Sequence, residues 1–197
     1  MSTEGIILAA GLSSRISLYK PLLELSGKTI IEHCLNAMYD ICSKIIVVVG
    51  YNHEKLSPVL DKYSKVEQVL NSNFKAGMYS SIITGYKHTT GSKVFMTPCD
   101  YPFITRDVYE SLLKVEEGIV IPAFNGQKGH PLLMDRSYVR LLLSAKKLDN
   151  LRKFIFSHSF STVETECPGV LLDIDTYEDY ECAKIICKTF KRLKADK

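Results

Sequence analysis

The chain has 197 residues, of which 46% are hydrophobic and 24% charged, a composition typical of a soluble globular protein. Its 25 Lys and Arg side chains nearly balance its 22 Asp and Glu side chains, so a protein that binds nucleic acid is not expected. Its longest apolar runs, such as residues 45–49, are far shorter than the ~20 residues of a membrane-spanning helix, and no signal peptide is recognised, so we expect a cytoplasmic protein with no membrane contact.

The predicted elements alternate between short apolar strands and amphipathic helices. Strands are predicted at 5–9, 44–49, 67–70, 93–97, 118–122, 131–134, 162–164 and 170–173. Thr29 and Glu32 form a capping box that starts the first helix, and further helices are predicted at 53–63, 80–88, 105–116, 137–144, 149–156 and 177–194. We therefore expect one α/β domain over residues 1–197, a doubly wound, mostly parallel sheet with helices on both faces.

The loop after the first predicted strand combines small residues with two cations. In a doubly wound sheet ligands bind beyond the carboxyl ends of the strands, so polar residues at those ends are the candidates for a site. Arg15 offers a planar fork for phosphate and Lys20 a point charge, and small residues let backbone N–H groups approach phosphate oxygens. Ile16 and Ser17 stand where a Walker loop needs Gly and Lys. The loop predicts an anionic ligand, and the alternative is an ordinary tight turn.

Two acidic segments follow later predicted strands. Asp100 lies between two prolines directly after the strand at 93–97, where it is either a ligand for a hard cation such as Mg²⁺ or a turn aspartate that caps backbone N–H groups. Asp173 and Asp175 follow the predicted strand at 170–172, and alternation places them on the same side of an extended chain. Either could complete a metal site. Asp175 is alternatively a helix N-cap, and the Asp-x-Asp pattern is also typical of metal-dependent glycosyltransferases.

Two further segments are weaker candidates. His130 lies in a glycine-rich loop, where a hydrogen-bonded structural histidine is the ordinary alternative to a functional one. Gly77 precedes a serine pair at the start of a predicted helix, whose N-terminus could receive phosphate, although helix capping explains the serines equally well.

Together these segments resemble the molybdenum cofactor cytidylyltransferases, a branch of the MobA-like nucleotidyltransferases. The matching segments, in chain order, are LAAGLSSR at 8–15 with the lysine at 20, NSNFKAGMYSS at 71–81, CDYPFIT at 99–105, GHP at 129–131 and DIDTYED at 173–179. The resemblance implies a Rossmann-like nucleotidyltransferase fold and transfer of CMP from CTP to the phosphate of molybdopterin, with release of pyrophosphate. Ala10 favours the cytidine-using branch, because guanylyltransferase relatives usually carry a second glycine there.

The resemblance also implies roles for individual residues. Lys20, Arg15 and Asp100 take the catalytic role, and Asp100 with Asp175 holds Mg²⁺, or Mn²⁺ as the alternative ion. CTP, molybdopterin and, transiently, a molybdenum hydroxylase or its chaperone are the implied partners. The pterin substrate faces Gly129, His130 and Pro131. The nucleotide contacts Leu8, Ala9, Ala10, Gly11, Ser13, Arg15, Lys20, Asn71, Gly77, Ser80 and Ser81.

The chain departs from the family pattern at three places, and three other functions stay open as alternatives. Ile16 and Ser17 replace the usual Met-Gly, Tyr101 stands where methionine is usual, and Tyr177 where proline is usual. The same residues also suit a sugar-phosphate or other small-molecule nucleotidyltransferase, a nucleotide-sugar glycosyltransferase, or a non-catalytic nucleotide or cofactor chaperone for a molybdenum hydroxylase. The pair of Asp100 and Asp175 favours catalysis, because a carrier has less need of two carboxylates beside a triphosphate.

Overall fold

A computed structural model describes residues 2–11, 18–116, 118–145, 148 and 150–195 of the chain. The strands are β1 (Thr3–Ala9), β2 (Glu24–Leu25), β3 (Lys28–Thr29), β4 (Lys44–Val49), β5 (Val66–Leu70), β6 (Lys93–Pro98), β7 (Ile119–Phe124), β8 (Gln127–Lys128), β9 (Leu132–Asp135) and β10 (Ser161–Glu164). The α-helices are α1 (Ile30–Met38), α2 (His53–Leu60), α3 (Met78–Lys87), α4 (Arg106–Leu113), α5 (Arg136–Ser144), α6 (Leu151–Phe156) and α7 (Tyr177–Ala195).

Eight of these strands form one sheet in the order β10-β7-β9-β6-β1-β4-β5, with β8 paired to β7. Strand β1 pairs in parallel with both β4 and β6, whereas β9 is antiparallel to β6 and β7. The chain first builds outward from β1 through β4 and β5, and then returns to the other side of β1 with β6. The strand order therefore reverses between β1 and β6, where a doubly wound sheet leaves a crevice at its carboxyl edge.

Each face of the sheet packs against its own layer of helices. Ile7 of β1 lies in the core shared with α1, α2 and α4, whereas its neighbour Ile6 lies in the core shared with α3, α5 and α6. Both isoleucines are fully buried, and each such burial contributes about 1.5–3 kcal/mol to folding. The continuous apolar runs of β1 and β4 are explained by burial on both faces, so the expectation of a doubly wound, mostly parallel sheet is confirmed.

The predicted strand at 170–173 is wrong. Residues Pro168–Val170 form a 3₁₀ turn, and no strand follows before α7. Val170 and Ile174 are buried in the core that α1 and α4 share rather than by pairing with another strand, whereas Leu172 is exposed. A short apolar run identifies burial, but it does not identify the element that is buried.

Two helix starts show how local chemistry sets the boundaries. The predicted capping box is confirmed, because the backbone N–H and the hydroxyl of Thr29 both donate to the Glu32 carboxylate, at 2.8 and 2.7 Å. Helix α6 begins at Leu151 after Asn150, whose side chain accepts a hydrogen bond from the Arg152 N–H, while position 149 of the predicted helix lies outside the described residues.

None of the helices in the described part of the chain has the length and apolar composition needed to cross a membrane.

Candidate functional site

A cavity of about 370 Å³ opens where β1 and β6 end, at the point of strand-order reversal. This volume falls within the roughly 300–1,000 Å³ typical of small-molecule sites. Its lining combines the loop after β1, the residues that follow β6, and the segment before α3. The residues are Leu8, Ala9, Ala10, Gly11, Lys20, Pro21, Phe74, Lys75, Gly77, Met78, Ser81, Pro98, Cys99 and Asp100.

Parallel pairing of β1 with β6 brings the first loop and Asp100 together. Leu8 lies opposite Pro98 in the register, and the Cys99 N–H donates to the Leu8 carbonyl at 3.0 Å. Gly50, at the end of β4, lets the first loop pack closely, since a Cβ there would lie 2.8 Å from the Ala10 carbonyl oxygen. The first loop is therefore held against the sheet as far as Ala10.

Part of the predicted phosphate loop lies beyond the described residues. Apart from its chain neighbours, no described residue has an atom within 4 Å of where a Cβ on Gly11 would lie, and Gly11 lines the cavity. Ser13 and Arg15 fall in the stretch 12–17, outside the described residues, and their roles stay predictions.

Lys20 links two carboxylates that are far apart in sequence. Its Nζ lies 3.3 Å from Asp100 Oδ2 and 3.0 Å from Asp175 Oδ1. The backbone of Lys20 is fixed in a short 3₁₀ turn, in which Pro21 is buried and the Leu23 N–H donates to the Lys20 carbonyl at 3.1 Å. The structure thus gathers the predicted cation and both predicted metal ligands at one edge of the cavity.

The Asp100 carboxylate is largely buried, and its hydrogen bonds do not fully replace the water that it has lost. Its Oδ1 is buried and has no hydrogen-bond partner among the described residues, while Oδ2 contacts Lys20. Burial raises the pKa of Asp100; Lys20 opposes this shift, and the nearby charge of Asp175 adds to it. A buried oxygen with an unused lone pair suits a further cationic ligand.

Asp175 reaches the site through backbone contacts rather than through a strand. The Ile174 N–H donates to the Asp100 carbonyl at 2.9 Å, which places the next residue beside Asp100. Asp175 is not the cap of α7. Its own N–H donates to Asp179 Oδ2, and the Thr176 hydroxyl accepts from the Asp179 N–H in the capping position. Asp173 is exposed, so strand alternation gave the wrong geometry for this pair.

Two glycines let the segment before Asp175 approach the rest of the site. A Cβ on Gly129 would collide with the Val170 carbonyl, and a Cβ on Gly169 would collide with the Phe103 carbonyl. The His130 N–H also donates to the Val170 carbonyl at 2.9 Å. The loop at 129–131 therefore buttresses the segment that carries Asp175.

The His130 side chain packs against Tyr101, the residue after Asp100. Its ring meets the Tyr101 ring edge to face, with centroids 4.7 Å apart, and its Nδ1 is buried without a partner among the described residues. Burial lowers the pKa of His130 to about 4, so the ring is neutral at physiological pH. The peptide bond from His130 to Pro131 is cis.

Asn71 organises the start of α3. Its Nδ2 donates to the hydroxyls of Ser80 and Ser81 at 2.9 Å each, and its Oδ1 accepts from the Asn73 N–H at 3.0 Å. The side chain is buried, and its amide is engaged by the protein itself. Gly77, with φ +97°, and Ser81 line the cavity, whereas Asn71 and Ser80 stand behind it. Asn71 thus holds in place residues that can face a ligand.

Sequence reasoning missed several lining residues. Lys75 is an exposed cation on the rim, and Phe74 and Met78 supply apolar surface on the same side. Lys75 could have been predicted from the sequence, because it lies two residues before Gly77 in the segment 71–81 that carries the family resemblance. Pro98 and Cys99 line the cavity because β6 ends there.

Comparisons with known proteins identify the family. The model of the MobA-like NTP transferase domain matches residues 5–163, so the chain belongs to the MobA-like NTP transferase family and is a nucleotidyltransferase. It is 29% identical over 180 residues to the molybdenum cofactor cytidylyltransferase of Escherichia coli K12, covering 91% of this chain and 94% of that protein.

Two further likenesses bear on specificity and on fold. A protein of Bacillus cereus ATCC 10987, named as a probable molybdenum cofactor guanylyltransferase, is 29% identical over 134 residues, covering 66% of this chain and 65% of its own length. Among solved structures, a nucleotidyl transferase from Methanothermobacter superposes with a TM-score of 0.84 at 21% identity, covering 96% of this chain and 99% of that one. The last likeness confirms the Rossmann-like nucleotidyltransferase fold.

Proposed function

We propose that this nucleotidyltransferase transfers CMP from CTP to the terminal phosphate of molybdopterin, with release of pyrophosphate. The observation that carries the proposal is the meeting of Lys20, Asp100 and Asp175 at the edge of a cavity that the small-residue loop after β1 also lines. The 29% identity over most of the chain to a cytidylyltransferase supports this nucleotide and acceptor. In this proposal residues 1–197 act as one domain.

The residues present fit a divalent cation of the Mg²⁺ type. Mg²⁺ is typically held by one or two carboxylates together with substrate phosphate oxygens, rather than by a cage of protein ligands. Among the described residues no group of three or more His, Cys, Asp and Glu side chains could hold an ion. Asp100, with one buried unpartnered oxygen, and Asp175 would hold the ion, and when bound it supplies positive charge beside the transferred phosphoryl group.

The protein's own contribution is positioning and neutralisation of charge. The acceptor phosphate is already anionic, so no protein nucleophile is needed, and attack on the α-phosphorus expels pyrophosphate. Lys20 and Arg15 stabilise the charge that grows on the departing pyrophosphate. The loop after β1, which lines the cavity and is exposed at Gly11, faces the triphosphate, since its small side chains leave room for phosphate oxygens near the backbone.

The two remaining walls of the site are assigned to the nucleoside and the acceptor. Gly77 and Ser81 line the cavity where base and ribose lie, and Asn71 and Ser80 hold that wall in place. The loop of Gly129, His130 and Pro131, whose histidine packs against the Tyr101 ring, is where the pterin binds.

Pyrophosphate release measured with each of the four nucleoside triphosphates, with and without molybdopterin, tests the proposal. We expect release with CTP and only when molybdopterin is present. Release with GTP instead would assign the chain to guanylyl transfer. Release with a sugar phosphate but not with molybdopterin would assign it to sugar-phosphate activation. Binding of CTP without turnover under every condition would overturn catalysis in favour of a nucleotide carrier.

A further inference from the structure

The ammonium group of Lys20 lies where a cation would have to contact both acidic ligands. Its Nζ is within 3.3 Å of an oxygen from Asp100 and an oxygen from Asp175 at the same time. All three side chains are largely shielded, with exposed fractions of 14% for Lys20, 22% for Asp100 and 34% for Asp175. Their mutual attraction is therefore stronger than that of a surface ion pair.

A divalent ion and this ammonium group compete for the negative charge of the two carboxylates, even though Asp100 Oδ1 has no partner among the described residues. Mg²⁺ needs oxygens at roughly 2.0–2.1 Å, so an ion between Asp100 and Asp175 would lie close to Nζ with the same sign of charge. Together the two cations would carry three positive charges against two negative ones in a half-buried site. Repulsion between the two cations therefore weakens binding of the ion for as long as the Lys20 ammonium group stays on the carboxylates.

The Lys20 ammonium group has an alternative position in the cavity. Its backbone is fixed in the 3₁₀ turn, but its four methylenes allow Nζ to swing, and the same side chain lines the cavity. A bound triphosphate would offer Nζ several anionic oxygens in exchange for the two carboxylates.

We propose that Lys20 acts as an internal counter-ion that competes with the divalent cation for Asp100 and Asp175, and that triphosphate binding removes this competition. The inference rests on the proposed metal site but not on the identity of the nucleotide or the acceptor. It makes free metal a weak ligand of the empty enzyme, and it couples metal binding to triphosphate binding with the same factor in both directions.

Titration of Mn²⁺ into the full-length protein without nucleotide, followed by the electron paramagnetic resonance of free Mn²⁺, tests this proposal. The variant Lys20→Met keeps the length of the side chain and removes its charge. We expect Lys20→Met to bind Mn²⁺ on the order of tenfold more tightly than the unaltered chain, within the range of typical coupling between sites. The double variant Lys20→Met/Asp100→Asn should lose this gain, which would locate the ion at Asp100.

Lys75→Met is the matched control. Lys75 lines the same cavity and carries the same charge, but it is exposed on the rim. Its removal should change Mn²⁺ affinity by less than about twofold, because exposed charges are screened. Equal gains in the two single variants, or no gain in Lys20→Met, would overturn the proposal. Lys20→Gln replaces Lys20→Met if circular dichroism shows that the latter is unfolded. Tighter Mn²⁺ binding by Lys20→Met, together with no nucleotidyl transfer by the unaltered chain, would refute the proposed function and leave this inference standing.

Discussion

Replacing Asp100 with asparagine separates the chemistry of the site from the stability of the fold. Asparagine has nearly the same shape, keeps one oxygen and removes the charge. An electrostatic contact that acts on the transition state is worth several kcal/mol, and each ~1.4 kcal/mol is tenfold in rate. We therefore expect Asp100→Asn to lower pyrophosphate release by about 10²–10³-fold, as removal of a single preorganised electrostatic contact does elsewhere.

The same substitution should not destabilise the protein. Because burial raises the pKa of Asp100 above its ordinary value, the native state holds a proton more tightly than the unfolded chain does. The charged carboxylate therefore makes folding less favourable as the pH rises through the carboxyl range, and the neutral amide avoids this cost. At pH 7 the free energy of unfolding of Asp100→Asn, measured by urea denaturation, should equal or exceed that of the unaltered chain.

The control for this experiment is Asp173→Asn. Asp173 is exposed, whereas Asp175 contacts Lys20, so loss of the Asp173 charge should lower the rate less than tenfold. If Asp100→Asn kept activity within about tenfold of the unaltered chain, or if Asp173→Asn lost as much, the assignment of the metal ligands would be refuted. A large loss of stability in Asp100→Asn would refute the argument from burial.

Three further outcomes are expected. Gly129→Ala should lower the free energy of unfolding in urea by about 1–3 kcal/mol, because its Cβ would collide with the Val170 carbonyl; an unchanged midpoint would contradict the close approach. Asn71→Ala should lower the free energy of unfolding by about 1–3 kcal/mol, because the Ser81 hydroxyl loses its hydrogen bond to the Asn71 side chain. It should also raise the KM for the nucleotide more than the KM for the acceptor, and equal changes in both KM values would argue against this role. In the unaltered chain the free energy of unfolding should fall as the pH falls from 6.5 toward about 4, because His130 takes up a proton at a higher pH in the unfolded chain than in the folded one. His130→Gln should flatten this dependence. Identical pH profiles for the two proteins would show that the ring is not buried in solution.

The arrangement of the fold follows from features that are local in sequence. The apolar runs of β1, β4 and β6 are buried on both faces, and such runs predict central parallel strands. The capping box at Thr29 needs only residues three positions apart, so it is readable from the sequence. The run at 170–173 misled the prediction, because Val170 is buried in the core shared with α1 and α4 without pairing in the sheet, while Leu172 is exposed.

The sequence by itself determined which chemistry is available: small residues and cations after the first strand, an aspartate between prolines after β6, and an acidic pair before the last helix. These follow from residue type and position at strand ends, which are one-dimensional properties. Only the tertiary structure decided that Asp175, rather than Asp173, faces Lys20, and that Asn71 supports the cavity wall from behind. The place of Asp175 depends on the hydrogen bond from the Ile174 N–H to the Asp100 carbonyl and on the close approaches at Gly129 and Gly169, contacts between residues 40 or more positions apart that no local pattern encodes.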